Sequence, residues 1–382
     1  MSTETRPLSL SLDTTADTSI VVTVHLMFAF DLGYEIDLES ARKDLHATIG
    51  PLARRPRRTP ESIRYRPAPL RLPVEIASVM LPTEGTPIRA PLAELAVFDF
   101  GAVSLCLSAP LRAVRSELPR LAAALGESEP LTADVRRALE PWIERLRPYT
   151  QGFKPSVLTE EFVVFQVHSP KRDWLGEDPA WIAGLLRLDA DPLSATEVNE
   201  ATRYSLSYTP NDLVVLDWAA GFVADVDCQE TLQVIEFANV QLLEFREIDD
   251  HLDDRLEAAW RLVRPESANR WRQRVLAMLG IGSHVAALRH VRELEIEATS
   301  LFERADNALK LIGDQYLSRV YSMTSRRFHL DEWQQSIQRK LDAVGDVYDL
   351  LVSQSGERRS TFLEIVIIVL IAFEIVLTLS GL

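Results

Sequence analysis

Residues Phe362–Leu379 form an almost unbroken apolar run, interrupted only by Glu364, Glu374 and Thr378. Inside a bilayer every backbone N–H and C=O must find its partner within the segment, so such a run can cross only as a helix. Eighteen helical residues reach about 27 Å, close to the thickness of a hydrocarbon core. Arg358 and Arg359 precede the run and few residues follow it. By the positive-inside rule this predicts a single-pass tail anchor over residues 358–382, with the N-terminal bulk cytoplasmic. About fifteen apolar residues contribute roughly −4 to −9 kcal/mol to insertion, and a charge near the centre opposes it by about 2.5–3.5 kcal/mol. Glu364 lies close enough to the arginines to sit at the interface. Glu374 lies near midspan and needs protonation or a partner on another helix, which points to a homo-oligomer. A buried helix in a soluble oligomer is the alternative reading.

The rest of the 382-residue chain divides by pattern. Residues 1–19 are Ser/Thr-rich and read as a flexible tail. They hold no apolar signal core, and Glu4, Asp13 and Asp17 against Arg6 argue against a mitochondrial transit peptide. Residues 20–226 read as a mixed α/β domain. Strands are expected at Ile20–Phe30, Val97–Leu107 (or a hairpin around Gly101), Phe162–Val167 and Ile182–Leu188, and a hairpin over Leu213–Val226 with Ala-Ala-Gly at its turn. Helices are expected from Asp37, over Leu111–Leu125, over Leu131–Leu146 with Pro141 as punctuation, and over Ser194–Tyr204. Residues 50–91 carry nine of the 21 prolines and read as a long loop. Val97-Phe-Asp-Phe-Gly-Ala echoes Val215-Leu-Asp-Trp-Ala-Ala, which raises the prospect of two related halves.

After Asp227, an expected N-cap, the period changes from two to between three and four. Cys228–Val263 shows a stripe of Ile235, Ala238, Leu242, Phe245, Leu252 and Leu256. Val285 to about Phe328 forms a second stripe, His329-Leu-Asp a tight turn with Asp331 a candidate cap, and Trp333 to Leu351 a third at near-heptad spacing. Residues 227–357 therefore read as a coiled-coil region whose long helices fold back antiparallel and hold the α/β domain away from a membrane. The fold class is α+β: the mixed domain, the helical hairpin, then the transmembrane helix.

Charge is distributed unevenly. The net charge of −15 makes broad nucleic-acid affinity through overall charge improbable. Residues 51–72, however, hold Arg54, Arg55, Arg57, Arg58, Arg64, Arg66 and Arg71 against Glu61, a local +6. Interleaved with Pro and Tyr65, they suit RNA, a ribosome or anionic lipid; docking on the acidic helix or plain solvation is the alternative. Residues 225–257 hold eleven acids against two Arg. Glu247, Asp250, His251 and Asp254 share an arc of about 100° on a helical wheel and are the candidate metal ligands, against a solvated face. Asp249 falls on the apolar side and needs a partner, expected to be an Arg from the 285–328 helix. Cys106 and Cys228 form no CxxC motif, so neither a disulfide framework nor a cysteine-rich zinc site is indicated. Nucleotide-loop, zinc-protease and nucleophile-elbow motifs are missing, and no cofactor is implied. His284 and His290 lie six apart, the wrong spacing for one helix face, and His168 reads as a strand-end residue. Asp217 and Trp218 draw interest at an expected strand end.

Three stretches carry a resemblance. Glu236-Phe-Ala-Asn-Val-Gln-Leu-Leu-Glu-Phe-Arg followed by Asp249-Asp-His-Leu-Asp, Phe98-Asp-Phe-Gly-Ala-Val, and Arg359 through Ile375 together resemble the "required for meiotic nuclear division" family, a domain of unknown function. The likeness spans roughly residues 20–382 and leaves the Pro/Arg stretch unmatched. It implies membrane association, homo-oligomers and, for mitochondrial members, support of organelle translation. It brings no catalytic activity. What carries over is limited to Glu364 and Glu374 in the tail and Asn239, Gln241, Glu244 and Arg246 in the helix. The leading reading is a non-enzymatic, tail-anchored oligomeric scaffold or tether. A metal-dependent hydrolase or nuclease using the acids of helix 228–263, and an RNA or ribosome tether through the Arg-rich loop, stay open beside it.

Overall fold

A computed structural model describes residues 19–45, 48–49, 68–76, 92–127, 129–168, 173–263, 296, 299 and 315–346. In chain order they form β1 (Ser19–Asp31), β2 (Glu35–Ile36), α1 (Leu38–Leu45), β3 (Thr48–Ile49), β4 (Leu70–Val74), β5 (Leu92–Val97) and β6 (Ala102–Val114). Next come α2 (Leu118–Gly126), α3 (Glu129–Leu146), β7 (Thr150–Gln151), β8 (Glu160–Val167), α4 (Trp174–Glu177), α5 (Pro179–Arg187) and α6 (Ala195–Ala201). The last elements are β9 (Ser205–Leu206), β10 (Leu213–Leu216), β11 (Ala220–Ala224), α7 (Gln229–Val263), α8 (Gln315–Arg327) and α9 (residues 330–346).

Nine strands make one mixed sheet in the order β3-β4-β5-β6-β1-β8-β11-β10-β9. The pairings are antiparallel except β8 with β11. β1 lies at the centre. Its β-branched start suits a pleated strand, and from Val22 onward it is buried on both faces, so it reads as a continuous apolar run instead of an alternation. Val22, Val24, Leu26, Phe28 and Phe30 face a core closed by α1 to α5. Met27 and Ala29 face the opposite side, where Phe162, Val164, Leu216 and Val223 meet α7, α8 and α9. The result is a three-layer α/β/α arrangement.

The structure bears out the mixed α/β reading and corrects several elements. Residues 111–114 continue β6, because Leu111 and Val114 pair with Val22 and Ser19; the helix begins only at Leu118. Ile182–Leu188 is the body of α5. Pro179 sits in its first turn and Leu188 closes it in a left-handed conformation (φ 52°), start and stop signals that outweigh a short apolar run. The 50–91 loop contains β4, which pairs with β5. Pro141 lies within α3 without ending it. The β10–β11 turn falls on Asp217–Ala219, placing Ala220 and Gly221 in β11. The echoed segments are both hairpin turns, but β6 lies antiparallel to β1 whereas β11 lies parallel to β8, so the halves differ in topology.

α7 and its followers lie on the sheet instead of standing clear of it. Residues 231–241 of α7 are buried without interruption, as is typical of a helix covered on every side. At the tip of the β5–β6 hairpin, Gly101 (φ 100°) touches the Gly33 carbonyl so closely that a Cβ would lie 1.6 Å from its oxygen. The chain passes there only because Gly101 lacks a side chain; a Cβ on Gly33 would instead meet the Gln151 carbonyl oxygen at 2.8 Å. Among the described residues no helix is long and apolar enough to cross a membrane. The 358–382 segment, with Glu364 and Glu374, lies outside them.

Candidate functional site

The residues with chemical potential gather where α7 crosses the sheet. Each α7 side chain singled out by the resemblance now has a place there. Glu236 is 3% exposed and takes the Arg71 Nη2 at 2.7 Å, while Nη1 of the same guanidinium bonds Glu94 on β5. Burial works against the Arg71 charge, but the two carboxylates outweigh it and hold its pKa above the ordinary arginine value. Burial pushes the Glu94 carboxyl up, only partly offset by Arg71, and Glu236 adds to the rise. Asn239 Nδ2 donates to the Glu160 carbonyl at 3.3 Å, and Arg246 pairs with the Glu160 carboxylate. Tyr321 Oη of α8 donates to Gln241 Oε1 at 2.7 Å. Glu244 is 3% exposed. The strip therefore docks α7 onto the sheet and α8.

Arg71 belongs to this interior and is removed from the nucleic-acid candidates. Arg54, Arg55, Arg57, Arg58, Arg64 and Arg66 lie outside the described residues, as do His284 and His290.

The metal candidates do not converge. Ser156 Oγ donates to Glu247 at 2.6 Å, and His251 lies 3.6 Å from the same carboxylate. Asp250 and Asp254 are exposed. Among the described residues no three His, Cys, Asp or Glu side chains come together to hold a metal. Asp249 does find a cation, but it is Lys340 of α9 at 2.9 Å, shared with Asp253 at 2.6 Å, in place of the expected Arg.

That bridge ties α9 to α7. Burial disfavours the Lys340 ammonium, yet hydrogen bonds to Asp249 and Asp253 prevail and raise its pKa. A raised lysine stabilises fully below its unfolded value and loses this contribution as pH climbs through the folded value. Lys340→Met is expected to cost about 1 kcal/mol near pH 7. The difference from wild type should fade above about pH 10.5, where lysine loses its proton when unfolded. Urea midpoints at pH 7 and pH 11 check this; a deficit undiminished at pH 11 would assign the loss to the stem's contacts and not to the charge.

Asp217 is fully buried between Arg187 of α5 and Arg327 of α8, whereas Trp218 is 67% exposed. Cys106 and Cys228 are free thiols. Burial, with Glu236 and Glu94 nearby, pushes Cys106 up to about 12, and burial with Asp225 and Asp227 pushes Cys228 up as well. Both stay neutral near pH 7 and are poor nucleophiles. An open cleft of about 430 Å³ lies between α3 and the stretch before β8. The Arg136 guanidinium at its wall is spent on the carbonyls of Ser156, Val157 and Leu158 and the hydroxyl of Thr159.

Sequence reasoning passed over one further group. His25 on β1 bonds Ser108 on β6 at 2.8 Å and Gln166 on β8 at 3.0 Å. Thr23 and His168 form a similar contact at 2.7 Å beside it. Each is a polar residue in a largely apolar strand, and no local pattern in the chain links them.

The uncharacterized protein MJ0711 of Methanocaldococcus jannaschii is 26% identical over 236 residues, covering 61% of this chain and 70% of that protein. No solved structure matches. The motif likeness to the meiotic nuclear division family is not what these matches support. A family model for the N-terminal domain of uncharacterized protein MJ0711 matches residues 22–230, more than half of the chain and nearly the whole sheet, and the chain belongs to that family.

Proposed function

We propose that this chain is a membrane-anchored, homo-oligomeric scaffold whose three-layer domain is held at a bilayer surface by residues 362–379. The observation that carries the reading is the apolar run itself, eighteen residues behind Arg358 and Arg359. The use made of α7 supports it: Glu236, Asn239 and Gln241 are spent on interior contacts, and the half-exposed Arg246 on the Glu160 carboxylate. A link to translation support belongs to the same proposal through the tail and helix motifs. Its second reading is a tether to RNA, a ribosome or anionic lipid through Arg54, Arg55, Arg57 and Arg58, favoured by their crowding within five residues.

Alkaline carbonate extraction of membranes tests the anchor. The full chain is expected to stay in the pellet, and a chain ending at residue 357 to move to the supernatant. Equal extraction of the two would overturn the proposal. Glu374→Leu should strengthen insertion while lowering oligomer size in detergent; an unchanged size would remove Glu374 from the assembly.

A further inference from the structure

Gln166 fixes the proton positions of a buried relay. Its Nε2 donates to the carbonyls of Asp225 at 2.9 Å and Val226 at 3.4 Å. A carbonyl only accepts, so the amide orientation is set and Gln166 Oε1 faces His25 Nε2. That oxygen also only accepts, so His25 Nε2 must carry the hydrogen. His25 Nδ1 is then left with a lone pair aimed at Ser108 Oγ, 2.8 Å away. Hydroxyl, imidazole and orienting amide thus stand in the order of a nucleophile, its base and the group that holds the base in one tautomer.

The surroundings fit that order. His25 and Gln166 are 7% and 5% exposed, and burial lowers the His25 pKa, leaving the ring neutral and ready to accept a proton. Ser108 itself is part-exposed. Apolar side chains at this end reach solvent: Leu92, the cross-strand neighbour of Ser108 on β5, is 76% exposed, and farther off Val21, opposite Arg112, is 46% and Val226, beyond Gln166, 60% exposed. An exposed leucine directly across from a reachable hydroxyl is apolar surface of the kind an acyl chain would cover.

We propose that Ser108 is a nucleophile activated by His25, and that it accepts acyl groups from esters of apolar carboxylic acids. Ser108 Oγ attacks the ester carbonyl carbon while its proton moves to His25 Nδ1. The C–O bond to the leaving alcohol breaks, and the alcohol takes that proton. Water then attacks the acyl-serine with His25 again accepting the proton, releasing the acid and restoring the hydroxyl. Gln166 is a positioning residue: it touches no substrate and acts through the tautomer of His25. The scaffold reading does not depend on this site.

The probe is an alkyl fluorophosphonate, which transfers its phosphonyl group to an activated serine and releases fluoride. The purified full chain is treated with it in detergent, and the modified residue is located by peptide mass spectrometry. Modification at Ser108 is expected, abolished in Ser108→Ala and about a hundredfold slower in His25→Asn. Circular dichroism of each variant confirms that it is folded. In Gln166→Glu the carboxylate should raise the His25 pKa and move the pH midpoint of labelling upward by about one unit or more. His168 at the end of β8, Cys106 and Arg112 on β6, Glu236 on α7, and Asp225, Asp227 and Cys228 just ahead of α7 are the other titratable groups at this end, and all are unchanged in that variant. Label at another residue only, no label on the folded chain, or a rate indifferent to His25→Asn in folded protein would each overturn the proposal.

Discussion

Arg71→Met is expected to lower the unfolding free energy by about 3–5 kcal/mol, the usual consequence of removing one partner from a buried ion pair. Arg71, Glu94 and Glu236 have side chains only 6%, 15% and 3% exposed, so losing the guanidinium strands two carboxylates inside the protein. The loss should depend on pH in a defined sense. Burial already raises the Glu94 pKa in the wild type. A carboxyl raised by folding stabilises fully below its unfolded pKa, and that contribution is lost as pH rises through the folded value. Without Arg71 the Glu94 carboxyl loses the cation that offsets its burial and rises further, so acidification should shrink the deficit. Guanidinium midpoints at pH 5 and pH 8 provide the measurement; an equal deficit at both would sink the account. Replacing all three residues by apolar ones of similar volume should recover most of the loss, because a buried ionic cluster does little for net stability once its own desolvation is counted.

Asp217→Leu should be nearly as damaging, again about 3–5 kcal/mol. Asp217 is fully buried, 3.3 Å from Arg187 on α5 and bonded to Arg327 on α8, helices that lie on opposite faces of the sheet. It also accepts from the Trp218 amide, which holds the β10–β11 turn. Asp217→Asn keeps an acceptor and should lose less, about 1–3 kcal/mol. The damage is expected to be local as well as global: hydrogen exchange should quicken more in α8 than in β1, since α8 loses a tether and β1 does not. Uniform acceleration along both would show that Asp217 does not hold α8.

Much of this architecture is legible from residue type and period. Ile20–Phe30 and Phe162–Val167 are β-branched and aromatic, and both are strands. The step of three and four after Asp227 is α7. Ile182–Leu188 misleads because seven residues, mostly apolar, carry no usable period, and Pro179 at the helix start decides the matter. Helical periodicity also cannot say what covers a helix. Polar Glu236, Asn239 and Gln241 look like a solvent face until the sheet supplies Arg71 and Glu160, residues 165 and 79 positions away in sequence, and α8 supplies Tyr321. The same distance hides His25, Ser108 and Gln166. Each is a polar residue in a largely apolar strand, and only the register of β6, β1 and β8 makes them neighbours.

The family match stops at residue 230, the second residue of the helix that roofs the second face of the sheet. During synthesis, β1 to β11 are therefore complete before their cover exists. Residues 231–346 must follow before α7, α8 and α9 can all close over Met27, Phe162 and Leu216. At about 5–20 residues per second this takes roughly 6–23 s. For that interval the nascent chain presents an apolar sheet face with the Arg71–Glu94 pair lacking its third member. A chaperone that binds extended apolar surfaces has its window there, ahead of any step that involves residues 362–379.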